Sequence, residues 1–234
     1  MDDFKAYRDR VRAISYSSQD NLITTSKRQA HTNMMDSPNL VVIKNMVLEE
    51  QLDKTFILNT REYKPSIVSD IDSFYKRKVL FTPDGGIPLG SYLEHRDKTY
   101  LVTRIVDDDI YPVAEMEFCN YELLIKGEKV RVETGKDDLG NAKYSSHQPK
   151  YKIPCVATSK IYSILDNSQI PLPEGTINIY LPYHENVKIP VNYEFDIHGD
   201  TFQVTTVSKI NLFKDRMGTL HGYLEIRGQR GVSK

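Results

Sequence analysis

Part of the chain repeats itself about 100 residues further on. Ile87 and Pro88 recur as Ile189 and Pro190, 102 positions later. Further pairs match at the same spacing: Leu93 with Phe195, Glu94 with Asp196, Thr99-Tyr100 with Thr201-Phe202, Val102-Thr103 with Val204-Thr205, Ile105 with Val207, and Tyr121 with Tyr223. Upstream, Phe81-Thr82-Pro83 resembles Tyr180-Leu181-Pro182. A repeat of this period predicts two copies of one supersecondary unit.

The repeated unit has the pattern of a β-sheet. Leu93/Phe195, Tyr100/Phe202 and Val102/Val204 fall at the alternating positions that face the interior of a sheet. Turn residues follow, and Arg96-Asp97-Lys98 and His198-Gly199-Asp200 are the predicted hairpin tips. We predict a mainly β fold of two tandem small β-barrels, of SH3 or OB size, each with a bent sheet of five or six strands.

Short strands separated by turns are predicted from Leu40 onward. The predicted strands are Leu40–Ile43, Ser66–Val68, Lys78–Phe81, Ser91–Arg96, Thr99–Val106, Ala114–Leu124, Cys155–Lys160, Thr176–Leu181, Tyr193–Ile197, Thr201–Val207 and Gly218–Ile226. The only helix-like interruption among them is around Asp70–Arg77. The predicted division is a helix and extended arm over 1–40, a first barrel over 41–127, a hairpin or extended connector over 128–153, and a second barrel over 154–234.

The N-terminal segment carries two predicted elements. Phe4, Tyr7, Val11 and Ile14 form one stripe of a short helix over residues 1–14. A helix of this length is not stable alone, so it docks either on its own domain or on a neighbouring subunit. The polar stretch that follows, to Asn39, predicts an extended arm that is either disordered or ordered by a partner.

Motifs of known enzyme classes are not found. The sequence has no GxxxxGK[ST], GxGxxG or GxSxG motif, no CxxC, and six scattered histidines. We therefore expect a protein that is not an enzyme and needs no cofactor or metal. The two cysteines, Cys119 and Cys155, are expected to be reduced and partly buried thiols. The first residues lack the positive charge of a secretory signal, and no apolar run is long enough for a membrane span.

Two charged loops stand at equivalent places in the repeat. Asp107, Asp108 and Asp109 follow the strand in the first copy, whereas Lys209, Lys214 and Arg216 lie there in the second. The acidic run lacks the spacing of a calcium loop and is predicted to be a solvated turn. One hypothesis is that the acidic and basic loops of successive subunits pair head to tail in a ring. The alternative is that both loops are simply solvated.

Nucleic-acid binding is the first alternative function. Tyr75-Lys76-Arg77-Lys78 and Lys150-Tyr151-Lys152 interleave aromatic and basic residues, as single-strand-binding barrels do. The net charge of the whole chain is -1, which weakens this alternative because binding to a polyanion needs an excess of positive charge.

The assembled motifs resemble those of neck proteins of tailed bacteriophages, the head-closure, stopper or connector proteins. The resemblance rests on Met1-Asp2-Asp3-Phe4-Lys5-Ala6-Tyr7-Arg8, the polar arm, Gly90-Ser91-Tyr92, Lys98-Thr99-Tyr100-Leu101-Val102-Thr103, Ile110-Tyr111-Pro112, Cys119-Asn120-Tyr121-Glu122-Leu123 and Ile153-Pro154-Cys155-Val156. It implies a virion structural protein that forms a ring in the neck, assembled in the host cytoplasm.

The resemblance also implies partners. These would be other copies of the chain in a ring, a portal or adaptor protein, a tail-terminator or tail-tube protein, and packaged double-stranded DNA in the channel. The arm from Phe4 to Pro38 and the connector from Val130 to Tyr151 are the predicted contact elements. Because this chain has two barrel-like copies where the neck proteins have one, a tail or baseplate component is a further alternative.

Overall fold

The computed structural model describes residues 20–51, 56–71, 73–83, 85–106, 110–126, 130–136, 140–148, 150–162, 169–171, 175–215 and 218–231. Within these residues the chain forms one helix, α1, over residues 20–35, and seventeen strands. The prediction of a mainly β fold is therefore confirmed.

The first six strands close into a barrel. They are β1 (Leu40–Glu50), β2 (Phe56–Ile71), β3 (Ser73–Phe81), β4 (Tyr92–His95), β5 (Lys98–Val106) and β6 (Val113–Phe118). Their order around the barrel is β1-β2-β3-β6-β5-β4, and β4 returns to pair with β1. We call this unit the first barrel. Its core contains Ile43, Val79, Phe81, Leu93, Tyr100, Val102, Ala114 and Met116.

Eleven more strands follow in the chain. They are β7 (Tyr121–Lys126), β8 (Val130–Lys136), β9 (Ala142–His147), β10 (Lys150–Thr158), β11 (Lys160–Tyr162), β12 (Gln169–Pro171), β13 (Thr176–Pro182), β14 (Glu194–Ile197), β15 (Asp200–Ser208), β16 (Leu212–Lys214) and β17 (Leu220–Arg230). Six of them form the order β7-β10-β13-β17-β15-β14, with β16 paired to β17. We call this sheet the second barrel. β8 pairs only with β9, and β11 only with β12, as two small hairpins.

The two barrels have the same strand order, as the predicted repeat requires. β14 and β15 begin 102 positions after β4 and β5. The pairing of β5 with β6 slips by one residue between Val102 and Arg104, and β15 slips against β17 at the same place, between Val204 and Thr206. A β-bulge at the matching position of each copy shows that the two barrels share this detail of strand pairing.

Backbone contacts also repeat at the same spacing. The N–H of Val102 donates to the carbonyl of Ser91 at 2.9 Å, and the N–H of Val204 donates to the carbonyl of Tyr193 at 2.8 Å. The predicted hairpin tips are two-residue turns with both residues at positive φ, Arg96-Asp97 in one copy and His198-Gly199 in the other. Such turns match the twist of the strands that they join.

Strand pairing corrects two of the predicted equivalences. Tyr121 lies in β7, the first strand of the second barrel, so it is not the counterpart of Tyr223 in β17. The counterpart of Tyr223 is Tyr111, because the connection before β17 is longer than the one before β6 and contains β16. The counterpart of Phe81 is Leu181 rather than Tyr180, because the residues before them, Leu80 and Tyr180, pair with matching residues of β6 and β17.

The second barrel is not completed by strand pairing. In the first barrel β1 and β4 pair through Lys44 and Glu94, Asn45 and Leu93, and Met46 and Tyr92. In the second barrel two tyrosine hydroxyls bridge the matching edges. Tyr121 Oη donates to the carbonyl of Asp196 at 2.7 Å, and the N–H of Lys126 donates to Tyr193 Oη at 2.8 Å. The barrel is therefore nearly closed, with side chains across its seam.

The boundary between the barrels differs from the predicted one. The run Ala114–Leu124 is two strands, because Cys119 and Asn120 leave the first barrel and β7 pairs with β10 of the second. The Asn120 side chain fastens this crossing by donating to the carbonyl of Ala157 at 2.8 Å and accepting from its N–H at 2.7 Å. The predicted exposed hairpin forms as β8 and β9, but it lies within the second barrel, between β7 and β10, and not between the two barrels.

Two predictions of local structure are wrong. Residues 20–35 form helix α1 where an extended arm is predicted, and the described residues of the segment Asp70–Arg77, where a helix is predicted, belong to the end of β2 and the beginning of β3. Asp70 and Arg77 face each other across that hairpin and form an ion pair, so their side chains stabilise strand pairing. The short helix predicted over residues 1–14 lies outside the described residues.

Candidate interaction surfaces

The two barrels are joined by an apolar interface. Leu93, Tyr100 and Val102 point into the first core, so their neighbours Tyr92 and Leu101 face outward. Both are nevertheless buried, with 1% and 0% of their surface exposed, because the second barrel covers them. The interface cluster consists of Met46, Tyr92, Leu101, Val156 and Tyr223, with Leu48, Leu58, Leu89, Cys119 and Tyr180 packed around it.

Hydrogen bonding and close packing hold this interface in one geometry. The Tyr92 hydroxyl donates to the carbonyl of Pro154 in the second barrel. Burial raises the pKa of Tyr92 well above its ordinary value, so the hydroxyl remains a donor. Gly90 and Gly222 bring the two backbones together, since a Cβ added to Gly90 would lie 1.9 Å from the carbonyl oxygen of Gly222. No side chain fits between these two backbone segments, the turn before β4 and strand β17.

The far end of the β1–β2 hairpin also docks on the second barrel. We call this end, residues 46–50 and 56–60, the first ribbon. The Phe56 ring packs edge-on against Tyr151 and His184, with each pair of ring centroids 4.7 Å apart. Glu50 accepts a hydrogen bond from the side chain of Asn186. Phe56 therefore belongs to the core of the second barrel, although it lies in a strand of the first.

Among the residues that the structure describes, the matching hairpin of the second barrel shows no such docking. It continues from β7 and β10 into β8 and β9, and we call β8 and β9 the second ribbon. Every side chain whose burial is described in this ribbon is exposed, including Tyr144 at 61%. Arg131, Lys136 and Lys143 are exposed cations on it, and Lys126 and Lys152 are exposed at its base.

Helix α1 covers the other end of the molecule. Ala30 and Met34 are buried, and Tyr111 Oη donates to the carbonyl of Ala30 at 3.2 Å. Tyr111 is the counterpart of Tyr223, which the first barrel covers at the interface. On the first barrel, α1 therefore contacts the position that is covered by a barrel in the second copy. The opening turns of α1 are wholly exposed, including Leu22 and Ile23.

The predicted interaction residues are placed only in part. Phe4, Tyr7, Val11, Asp107, Asp108, Asp109 and Arg216 lie outside the described residues. Lys209 and Lys214 are exposed in the connection between β15 and β17, beside Ile210, which is 83% exposed. His221 Nε2 and Asp215 Oδ2 lie 2.9 Å apart, at hydrogen-bond distance, and this contact helps to hold the connection. The pairing of acidic and basic loops stays a prediction.

The two basic and aromatic segments do not form an open stacking platform. Lys76 pairs with Glu117 at 2.7 Å, Arg77 pairs with Asp70, and Tyr75 stacks on Phe118 with centroids 6.4 Å apart. Tyr151 packs against Phe56, and only 6% of its surface is exposed. Tyr75 is 56% exposed, but Lys76 and Arg77, the cations next to it, are paired with carboxylates, and the aromatic ring of the other segment is buried, so the described residues do not provide the row of exposed rings and free cations that single-strand binding requires.

The described part of the chain offers few metal-binding or reactive groups. No group of three or more His, Cys, Asp and Glu side chains there is placed to hold a metal ion. Burial raises the pKa of the Cys155 thiol to about 12 and that of Cys119 well above its ordinary value, so both thiols stay protonated at neutral pH. No helix among the described residues is both long and apolar enough to cross a membrane.

A family model matches the sequence of the second half of the chain. Residues 121–227 match the family model of the YomX C-terminal domain, and this match begins at the first residue of β7. The matched domain thus coincides with the second barrel. No solved structure matches the chain.

A longer sequence match is with a prophage-derived protein. The SPbeta prophage-derived uncharacterized protein YomX of Bacillus subtilis (strain 168) is 24% identical over 151 residues, which is 62% of this chain and 67% of that protein. The chain is therefore similar to a prophage-derived protein. This agrees with the phage resemblance of its sequence, while a neck position in particular is a matter for proposal.

Proposed function

We propose that this protein is a non-enzymatic structural component of a tailed-phage particle, which assembles as a ring in the neck and joins or closes the head to the tail. The observation that carries the proposal is the docked pair of barrels with two segments left outside it. The similarity to a prophage-derived protein supports the phage origin.

The docked barrels supply the rigid part that a ring subunit needs. An apolar interface with a buried hydrogen bond and a glycine contact fixes the angle between the barrels. In a ring, a small error in that angle would accumulate from subunit to subunit, so a fixed body is an advantage. Neighbouring subunits would then be held by segments that leave the body, which add contact area without enlarging a core.

The opening of α1 is the contact segment that the described residues favour. Leu22 and Ile23 are large apolar side chains that are 66% and 46% exposed among the described residues. Changing both to Glu should leave the barrels folded and abolish the ring, measured as the mass of the oligomer by light scattering. Changing the adjacent exposed Thr25 and Ser26 to Glu adds the same charge and should leave the mass unchanged. An unchanged mass in both variants would contradict this contact.

Deletion of the gene from the phage genome tests the neck position. Electron microscopy of the lysate should show DNA-filled heads and complete tails that are not joined, and expression of the chain in trans should restore joined particles. Joined particles with malformed tail tips would identify a baseplate component and overturn the neck proposal. Joined particles of normal infectivity would overturn a structural role altogether.

A further inference from the structure

We infer that the mouth of the second barrel is a docking site for a β-hairpin that carries an aromatic residue directly opposite a carboxylate. In this structure the first ribbon fills the site, through Phe56 and Glu50, which pair with each other across β1 and β2. The inference goes beyond the proposed ring and does not depend on it. It gives the second barrel a recognition role that a peptide of the same chemistry would share with the first ribbon.

Three side chains of the second barrel form this docking site. The Phe56 ring packs edge-on against Tyr151 and His184, at interplanar angles of 76° and 77°. The side chain of Asn186 donates to Glu50 beside the ring. The N–H of Asn186 donates to His184 Nδ1 at 3.2 Å, which holds the imidazole in place. The site therefore contacts both members of the pair, the ring by edge-on packing and the carboxylate by a charge-assisted hydrogen bond.

The corresponding place on the first barrel has different chemistry. By the register of β7 with β10 and of β1 with β2, Tyr151 corresponds to Glu62 and Ile153 to Lys64. Lys64 lies 3.4 Å from Glu62 and donates to the carbonyl of Gly86 at 3.2 Å. An aromatic residue docked there would cover an ion pair and remove it from water, which is costly. Of the two barrels, only the second therefore offers an aromatic and apolar site for a ring.

The loop that completes the docking site is also particular to the second copy. Residues 181–189 correspond to residues 81–87 of the first copy, and the connection is two residues longer in the second. This longer connection supplies His184 and Asn186, two of the three side chains of the site. The recognition of the ring and of the carboxylate thus depends on residues that the shared barrel strands do not provide.

The site and its occupant belong to separate units of the chain. Among the described buried residues of the second core, Phe56 alone comes from the first barrel. The matched family model covers residues 121–227 and so does not include Phe56. The first ribbon reaches the site beyond a β-bulge between Asn45 and Met46, where a strand bends. The second barrel is therefore related to the ribbon as a receptor is to its ligand.

A hairpin peptide of residues 46–60 tests the inference in trans. Its ends, Met46 and Thr60, pair across the ribbon, so a disulfide between cysteines added at the ends closes it. Fluorescence anisotropy of the labelled peptide measures binding to the full chain with Phe56→Ala, in which the site is empty. Binding should be at least about tenfold tighter than to the unmodified chain, because a tethered ribbon competes at high effective concentration. The peptide with Phe56→Ala should bind at least about tenfold more weakly.

Two further variants of the full chain show where the peptide binds. Adding His184→Ala to Phe56→Ala removes one wall of the site and should weaken binding at least about tenfold. Adding Tyr144→Ala instead removes an exposed aromatic side chain elsewhere and should leave the affinity unchanged. An equal loss in both variants, or in neither, would overturn the assignment of the site.

The variant Phe56→Leu covers the case in which Phe56→Ala does not fold, which circular dichroism shows. Leucine keeps an apolar side chain in the site but makes no edge-on ring contact, so the peptide should bind this variant more tightly than the unmodified chain. Equal binding to the unmodified chain and to every folded variant would overturn the inference. Equal affinity of the two peptides would also overturn it, since the aromatic residue would then play no part.

Discussion

The two ribbons occupy the same place in two barrels of the same strand order, yet one is docked and the other projects. The first ribbon ends in Leu48, Phe56 and Leu58, which pack on the second barrel. The second ribbon presents Arg131, Lys136 and Lys143 to solvent. The inward residues that build each barrel are apolar at matching positions, whereas the outward residues differ between the two barrels. The outward residues therefore decide which part of each copy is an internal contact and which part is a surface.

The outer faces of the barrels diverged in the same way. Tyr92 and Leu101 are buried between the barrels, whereas their counterparts 102 positions later, Glu194 and Gln203, are exposed and polar. The second barrel therefore cannot stack on a third in the same manner, and α1 covers the free end of the first. Both ends of the tandem are capped, as the ends of repeat proteins must be for solubility.

The largest expected effect is that of Gly90→Ala. The new Cβ would overlap the carbonyl oxygen of Gly222, and the backbone of Gly90 has a φ of 79° that disfavours a side chain. We expect a loss of about 4 kcal/mol or more in the free energy of unfolding, measured with urea. The counterpart Asn192 has a φ of 68° and is exposed, so Asn192→Ala should cost about 1 kcal/mol. Equal costs would contradict the backbone contact between the barrels.

Phe56→Ala should have the next largest effect. This substitution deletes a buried ring, of which only 7% of the surface is exposed. Loss of a buried Phe costs about 3 to 5 kcal/mol, and this site is expected at the lower end because the ribbon can relax. In the second ribbon Tyr144→Ala should cost less than about 0.5 kcal/mol, because that side chain is exposed. A similar cost for both variants would show that the first ribbon is not docked.

Exchange of matching outward residues should have a smaller effect that differs between the copies. Leu101→Gln puts a polar side chain into the interface and should cost about 2 to 3 kcal/mol. The reciprocal change, Gln203→Leu, acts on an exposed position and should alter stability by less than about 0.5 kcal/mol. Thermal unfolding monitored by circular dichroism measures both. A neutral Leu101→Gln would contradict burial at the interface.

The smallest effect concerns pH and the docking site of the first ribbon. Burial beside Phe56 lowers the pKa of His184 from its ordinary value of 6.5, although Glu50 and Glu185 partly oppose this. Because the folded chain favours the neutral ring, its stabilising contribution is present above pH 6.5 and is lost as the pH falls through the lowered pKa.

His184→Gln should therefore reduce the decline of the unfolding temperature as the pH falls from about 7 to about 5. Some decline should remain, because burial also lowers the pKa of His95. His31→Gln, at an exposed position on α1, is the control and should leave the decline unchanged. A steeper decline in His184→Gln than in the unmodified chain would reverse the predicted sign.

The repeat in the sequence predicts the tandem barrels and their inward residues, because alternation and turn residues are local signals. The break at Cys119 and Asn120 is missed although the alternation of Ala114, Met116 and Phe118 shifts by one position to Tyr121 and Leu123, because no Gly or Pro marks a turn there. Helix α1 is missed because it buries only Ala30 and Met34 fully, too few to show a helical period. The interface leaves one signal in the sequence, in that Tyr92 and Leu101 are apolar where the second copy has Glu194 and Gln203.

Hydrogen exchange of the native chain, followed by mass spectrometry, compares the two ribbons directly. The account predicts that amides at the end of the first ribbon, around Leu48 and Leu58, exchange as slowly as those of the barrel strands, because docking on the second barrel protects them. It predicts that amides of β8 and β9 exchange much faster. Equal exchange in the two ribbons would contradict the claim that two barrels of the same strand order carry one docked ribbon and one free ribbon.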